Sequence, residues 1–367
     1  MSTDTKETAP ARYFEVDVAK TLAIVFMVCV HVYEGMTDNS WLGNPPTDFL
    51  HNLIEFMGGP MAAPVFMFAM GIGMVCTRHD TPGEFIHRGI RLLIGGIVLN
   101  FFKLTFLLLV ARVLDVEYDS LFTVLESLLV CDILHFAGLA FVLTGLLKKL
   151  RVQPFMILVL SLLMQMGASW ATVFVEPSNV FSMVAGFFVF TGKTSGFPLL
   201  LWYVYPAAGM AFASLLKKAD DRAALYRNTL AISVAVFSSL ICCLIQNGYD
   251  LRKLYMLAHE SYYMQDLFHS LFSLSLVLVF LSLAYFAFCG VSAQAWPMRF
   301  FHWCGINLNK IYVIQWMVIC CTVAALVLLE MDMVSLPMVI PVGIVISLVS
   351  MGLCAALNSL RRRIQKK

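Results

Sequence analysis

Apolar runs long enough to cross a membrane follow one another along almost the whole chain, separated by short polar strips. A hydrocarbon core of ~30 Å takes about 20 apolar residues as a helix. Runs of that kind fall at roughly 16–34, 58–77, 89–111, 121–147, 154–175, 197–216, 229–247, 268–290, 308–329 and 334–359. The pattern predicts an all-α polytopic membrane protein of about ten helices. It shows no internal repeat and no soluble domain. One membrane domain over 16–360 is expected, between a polar segment at 1–15 and a basic tail at 361–367. The first residues lack a signal-peptide pattern, so the first run is expected to stay as a helix.

Positive charge sorts the strips into two sets. Nineteen Lys and Arg lie in the segment through Lys20, at 78–91, 148–151, 217–227 and 290–302, and in the tail "RRRIQKK". The alternate strips hold four: Arg112, Lys193, Arg252 and Lys253. Cytoplasmic loops carry the excess of Lys and Arg, so both termini are expected in the cytoplasm. The acids Asp115, Glu117, Asp119, Glu330 and Asp332 then lie outside. Composition agrees, at 60% hydrophobic and 13% charged, against about 45–50% and about 25% in soluble domains. The expected surroundings are a lipid bilayer, in a plasma (bacterial inner) membrane, with no nucleic acid as partner. The ten cysteines sit mostly inside apolar runs and read as small buried hydrophobes rather than a disulfide framework or zinc site.

Ionisable residues inside the runs stand out, because charge at membrane depth is costly and usually functional. In "MVCVHVYEGM", Glu34 follows His31 by three residues on one helix face, where its carboxylate can orient the imidazole. The plainer reading is an interfacial pair in headgroup water. Asp17 and Lys20 lie near the inner end of that run, with His31 about 21 Å beyond Asp17 at 1.5 Å per residue. A second histidine, His51, precedes the second run. In "FIHRGIRLLIGGIVLNFFK", Arg88 and Arg91 are three apart, and Gly95 follows Arg91 by one turn. A guanidinium pair under such a notch suits phosphates with a narrow organic chain passing upward; the plainer reading is charge anchoring and close packing.

Asn100 and Lys103 lie deeper, and Lys103 needs a protein partner, Asp132 or Glu126. In "VLESLLVCDILHFAGLAF", Asp132 and His135 form another acid–histidine pair at helical spacing, fit for a proton relay or a structural bond. In "GINLNKIYVIQW", Asn307, Asn309 and Lys310 read as a cap and a snorkelling charge, and Gln315 as an interhelical hydrogen bond. The chemistry is expected in the N-terminal half, with the rest as scaffold. No His/Asp/Glu cluster has metal-ligand spacing, so no metal is expected.

With these residues in view, the sequence resembles the transmembrane acyltransferases related to heparan-α-glucosaminide N-acetyltransferase. The stretch "EVDVAKTLAIVFMVCVH" is similar to the family's opening, with Arg12, Asp17, Met27 and His31 matching and Lys20-Thr21 replacing its usual Arg-Gly. "APVFMFAMGIGM" resembles the second helix, "HRGIRLLIGGIVLN" the arginine-bearing third, and "CDILHFAGLAFVL" the bacterial "G-I-L-H-x-x-G" stretch. "FPLLLWYVYPAAGM" and "GINLNKIYVIQW" resemble later elements. The broader acyltransferase-3 group shares the opening and an R-x-x-R pair.

The resemblance implies a transmembrane acyltransferase-like bundle that moves an acyl group, commonly acetyl, from cytoplasmic acetyl-CoA to a carbohydrate-type acceptor on the other face. Carried over, Arg88 and Arg91 bind the CoA phosphates and His31 is the polar end of the first helix. Counting back about twenty residues from Gly71 puts the family's loop histidine at His51. His31, with Glu34, is the expected general base toward a sugar or amino-sugar acceptor, and His51 competes with it. A homodimer is compatible with the pattern. The rival reading is a proton-coupled transporter built on Asp132, His135 and Lys103. The absence of repeats and of matched broken helices weighs against it.

Overall fold

The computed structural model describes residues 13–37, 48–113, 123–172, 180–257 and 259–365. Arg12, Asp115, Glu117 and Asp119 lie outside the described residues. Every regular element described is helical. The first half comprises α1 (Phe14–Met36), α2 (Phe49–Gly58), α3 (Ala63–Cys76) and α4 (Pro82–Asn100). A π-helical turn, Phe101–Thr105, joins α4 to α5 (Phe106–Val113), and α6 (Val124–Leu129) and α7 (Ile133–Lys149) follow. Next come α8 (Pro154–Ala171), α9 (Val180–Ala185), α10 (Leu199–Trp202), α11 (Val204–Lys218) and α12 (Arg222–Gln246). The chain closes with α13 (Glu260–Met264), α14 (Leu267–Phe288), α15 (Trp296–Leu328) and α16 (Val339–Ile364).

Nine helical stretches among the described residues are long and apolar enough to cross a membrane, and the chain is a multi-pass membrane protein. Three contacts fix which ends lie together. Lys148 at the end of α7 bonds Asp80 between α3 and α4, Lys217 of α11 donates to the Val75 carbonyl, and Arg222 of α12 donates to Glu15 of α1. This side, rich in Lys and Arg, is the basic end below.

The fourth expected run, 121–147, differs from the expectation: it breaks between α6 and α7. The break is built into the side chains. Thr123 caps α6 in a reciprocal box with Glu126, and Asp132 caps α7 by accepting from the Ile133 N–H at 2.6 Å. Non-helical backbone at membrane depth persists only where protein satisfies its polar groups. Here Cys131 N–H donates to Thr194 O (2.7 Å), Phe197 N–H donates to Cys131 O (3.0 Å), and the Asn100 amide donates to Leu128 O and Val130 O.

Glycines set two helix contacts. Gly89 of α4 and Gly138 of α7 face each other, so a Cβ on either would fall within 2.6–2.8 Å of the other's carbonyl oxygen. Between α3 and α11, a Cβ on Gly209 would lie 2.0 Å from the Phe68 carbonyl oxygen. Such close approach is how helices associate in lipid, where packing replaces the hydrophobic drive. At the basic end, buried Glu15 accepts from Arg222 (2.5 Å) and from the Tyr226 hydroxyl (2.6 Å), tying α1 to α12.

Gly209→Ala is expected to lower stability by about 1–3 kcal/mol through overpacking, read as a lower melting temperature in detergent. Gly167→Ala, where a Cβ meets nothing within 4 Å, should leave the melt unchanged or raise it. Equal effects at the two positions would contradict the packing account.

Candidate functional site

Lys103, Asp132, Tyr312, Gln315 and His31 converge on one polar cluster in the apolar core. The π-helical turn widens the backbone at Lys103, and its ammonium donates to Asp132 Oδ2 at 2.6 Å. Turns of this kind often mark functional positions. Tyr312 of α15 donates its hydroxyl to the same oxygen at 3.1 Å. Asp132 is thus fully engaged by an ammonium, a phenol and a backbone N–H. Trp316, one turn beyond Tyr312, carries the Lys103 ammonium 4.1 Å from its ring centre and the His31 ring at 4.0 Å. His31 meets the Gln315 side-chain amide, 3.1 Å from its Nε2 and 3.4 Å from its Oε1.

Several expectations change here. His31 bonds Gln315 rather than Glu34, which is half-buried one turn further along α1 and engaged elsewhere. Asp132 and His135 do not pair. Asp132 stands outside the helix as a cap, so the helical spacing assumed for them does not apply. The His135 ring packs on Gly96 and edge-on to Phe187, and neither ring nitrogen has a hydrogen-bond partner among the described residues. Lys103 takes Asp132; Glu126 is bound instead to Lys193 at 3.1 Å.

His51 lies on α2, closer to the far end than His31. Its Nδ1 bonds the Asp48 carboxylate, which also caps α2 through the Leu50 and His51 N–H groups. Burial pushes the Asp48 carboxyl up, but the backbone N–H and ring of His51 outweigh it and hold Asp48 below its ordinary range. The ring meets Tyr33 edge-on at 5.8 Å. Neighbouring residues of α2 are anchored to the strip before α14: Tyr255 donates to Asn52 (2.6 Å), and Leu257 N–H donates to buried Glu55 (2.7 Å).

Below the cluster a cavity of about 440 Å³ runs toward the basic end, between α1, α3, α4, α7 and α15. Phe66 and Leu134 line it nearest the cluster, and Lys20, Arg88, Asn309 and Lys310 supply its polar wall. No ion pair among the described residues engages any of these three cations. Arg88 lies over the Phe141 ring at 4.4 Å, and Lys310 donates to Asn358 at 2.7 Å. Arg91 is exposed and does not line the cavity, so the expected arginine pair is split. Gly95 also faces open space; the close-packed glycine is its neighbour Gly96, against His135. Asp17 is engaged by His302 at 3.1 Å, at the mouth of a second hollow on α15.

Asp48, Tyr312 and Trp316 were missed from sequence. Asp48 carries the same acid-x-x-His signal read elsewhere; Tyr312 and Trp316 gave no signal, because aromatic residues in an apolar helix read as lipid-facing or core. The polar cluster and the cavity are not confined to the N-terminal half, since α15 brings three side chains to the cluster and one cation to the cavity. Among the described residues no group of His, Cys, Asp and Glu is arranged to hold a metal.

The family profile for the heparan-alpha-glucosaminide N-acetyltransferase catalytic domain matches residues 12–247. That stretch covers more than half of the chain, and the chain belongs to this family of membrane acetyltransferases. No curated protein and no solved structure matches it. The match includes Lys20, His31, His51, Arg88, Lys103 and Asp132, while α15 lies beyond it.

Replacing Lys103 alone with Met leaves Asp132 buried without its cation and should cost about 3–5 kcal/mol. The double change Lys103→Met/Asp132→Leu should recover much of that loss in a detergent melt. A single variant as stable as the wild type would contradict the central place of the pair.

Proposed function

We propose that the protein transfers an acetyl group from cytoplasmic acetyl-CoA to a sugar or amino-sugar acceptor on the opposite face of the membrane. The observation that carries this reading is the cavity at the basic end with three cations that no carboxylate among the described residues engages. Cations without a carboxylate partner at the lip of an apolar slot suit phosphates joined to a narrow chain. The excess of Lys and Arg at that end supports a cytoplasmic location for it. Lys20 and His31 are eleven residues apart on α1, about 16 Å. An extended pantetheine arm, roughly 15–20 Å by the reach of a comparable chain, covers that distance. Arg88, Lys20 and Lys310 then hold the pyrophosphate, and the thioester reaches the level of His31 and Lys103.

The acceptor enters from the far end, where α2 presents His51. A carboxylate on Nδ1 orients the ring and sets its tautomer, the arrangement that serves acyl transfer elsewhere. His51 takes the proton of the acceptor hydroxyl or amine as its oxygen or nitrogen attacks the thioester carbonyl. The C–S bond breaks, the thiolate leaves, and the proton passes to sulfur to give free CoA. The nearby Lys103 ammonium favours the oxyanion that forms on the carbonyl oxygen. His31, held by Gln315, stands in the polar cluster beyond the lined cavity and positions the thioester. This assignment reverses the expected order of the two histidines, because the one with a bonded carboxylate is His51.

Mass spectrometry of free CoA released from acetyl-CoA, with a panel of sugars and amino sugars, tests the scheme. His51→Ala should lower turnover about 10²–10⁴-fold with donor binding intact. Arg88→Ala should weaken donor binding about tenfold, in keeping with a charged phosphate contact of 1.5–3 kcal/mol, and Arg91→Ala should not. Full activity in His51→Ala moves the base to His31; no donor binding by the wild-type chain refutes the reading and favours the transporter.

A further inference from the structure

The second hollow, of about 680 Å³, lies at the start of α15 and is lined by Gln294, Trp296, Arg299, Phe300, His302 and Trp303. It shares a helix face with the donor cavity. At 3.6 residues per turn, positions seven or eleven apart return to nearly the same azimuth. Arg299 is eleven residues before Lys310, Trp303 seven before Lys310, and His302 seven before Asn309. One side of α15 therefore runs from the hollow into the cavity.

Depth follows from the packing of α1 on α15. Asp17 meets His302 and Gly305. Lys20 thus stands one turn farther from the basic end than this level, and Arg299 about one turn nearer to it. The two backbone positions are separated along the axis by about two turns, roughly 10 Å. Arg299 is exposed and has no carboxylate partner among the described residues, whereas the neighbouring Asp17 is already matched by His302. Trp296 is largely exposed, offering an indole face beside the cation.

We propose that this hollow is the nucleotide subsite of the donor, with Arg299 binding the 3′-phosphate of CoA and the adenine stacking on Trp303 or Trp296. The assignment rests on the acetyl-CoA reading above. It adds a second cation about two helical turns below Lys20 in backbone level, a gap that the long Lys and Arg side chains narrow to the span of a ribose, and an aromatic platform of the kind bases stack on without sequence preference. A guanidinium suits a terminal phosphate through paired N–H donors.

The test compares binding of acetyl-CoA and acetyl-dephospho-CoA, which lacks only the 3′-phosphate, to the full chain in zwitterionic nanodiscs. The wild type should prefer acetyl-CoA by about tenfold, as for one charge-assisted contact. Arg299→Ala should erase that preference by weakening acetyl-CoA alone. Unchanged binding of the dephospho donor shows that the variant is folded. A wild type that binds both donors equally overturns the subsite while leaving the donor reading intact. So does a preference that survives in Arg299→Ala, the result expected if a lipid phosphate fills the hollow. A wild type that binds neither donor overturns both.

Discussion

An ammonium and a carboxylate placed among apolar helices must find each other, because hydrocarbon offers neither of them water. The Lys103–Asp132 contact at 2.6 Å answers that demand, and much of the architecture follows from it. To reach Asp132, the α4–α5 segment widens into a π-helical turn, and the α6–α7 segment breaks so that Asp132 stands at a helix start instead of on a helix face. The break exposes backbone groups, which Asn100 and the strip around Thr194 and Phe197 satisfy. Tyr312 and Trp316 bring α15 against the pair, and His31 follows through Trp316. Gly89, Gly138 and Gly96 let α4 and α7 lie close enough for all this to meet.

Charges in this molecule fall into two kinds. Those of the core and of the basic-end latch are matched: Lys103 with Asp132, Glu15 with Arg222 and Tyr226. Those lining the cavity are not, since Lys20, Arg88 and Lys310 share a wall with no carboxylate partner among the described residues. Matched charge ties helices together, whereas charge of one sign gathered on a cavity wall attracts a ligand of the other sign. In the proposed function the donor's phosphates supply that charge, and the spacing of Lys20 and His31 on one straight helix sets how far its acyl end reaches.

The helical, membrane-spanning character was legible because twenty-residue apolar runs have no other stable form in lipid. Arg88 and Lys20 were legible as well, as polar positions at run ends. Breaks inside a run were not. "LLVCDILHF" keeps its apolar average across Val130–Asp132, and only the pairing of Asp132 with α4–α5 and α15 selects a cap over a continuous helix. Long-range partners were equally hidden: His31 and Gln315 are 284 residues apart, so local spacing favoured Glu34. Arg91 and Gly95 lie away from the cavity, which was not legible because a three- or four-residue spacing says that side chains are near each other without saying which way the helix faces.

The central claim is that one end of the bundle takes the donor and the other the acceptor. It is tested most directly with the protein inserted in one orientation in sealed vesicles, with acetyl-CoA on the side of the basic end and amino sugar on both sides. The account predicts that acetylated sugar accumulates only in the compartment facing His51, while CoA appears in the compartment that held acetyl-CoA. Acetylated sugar on the same side as the donor would contradict it.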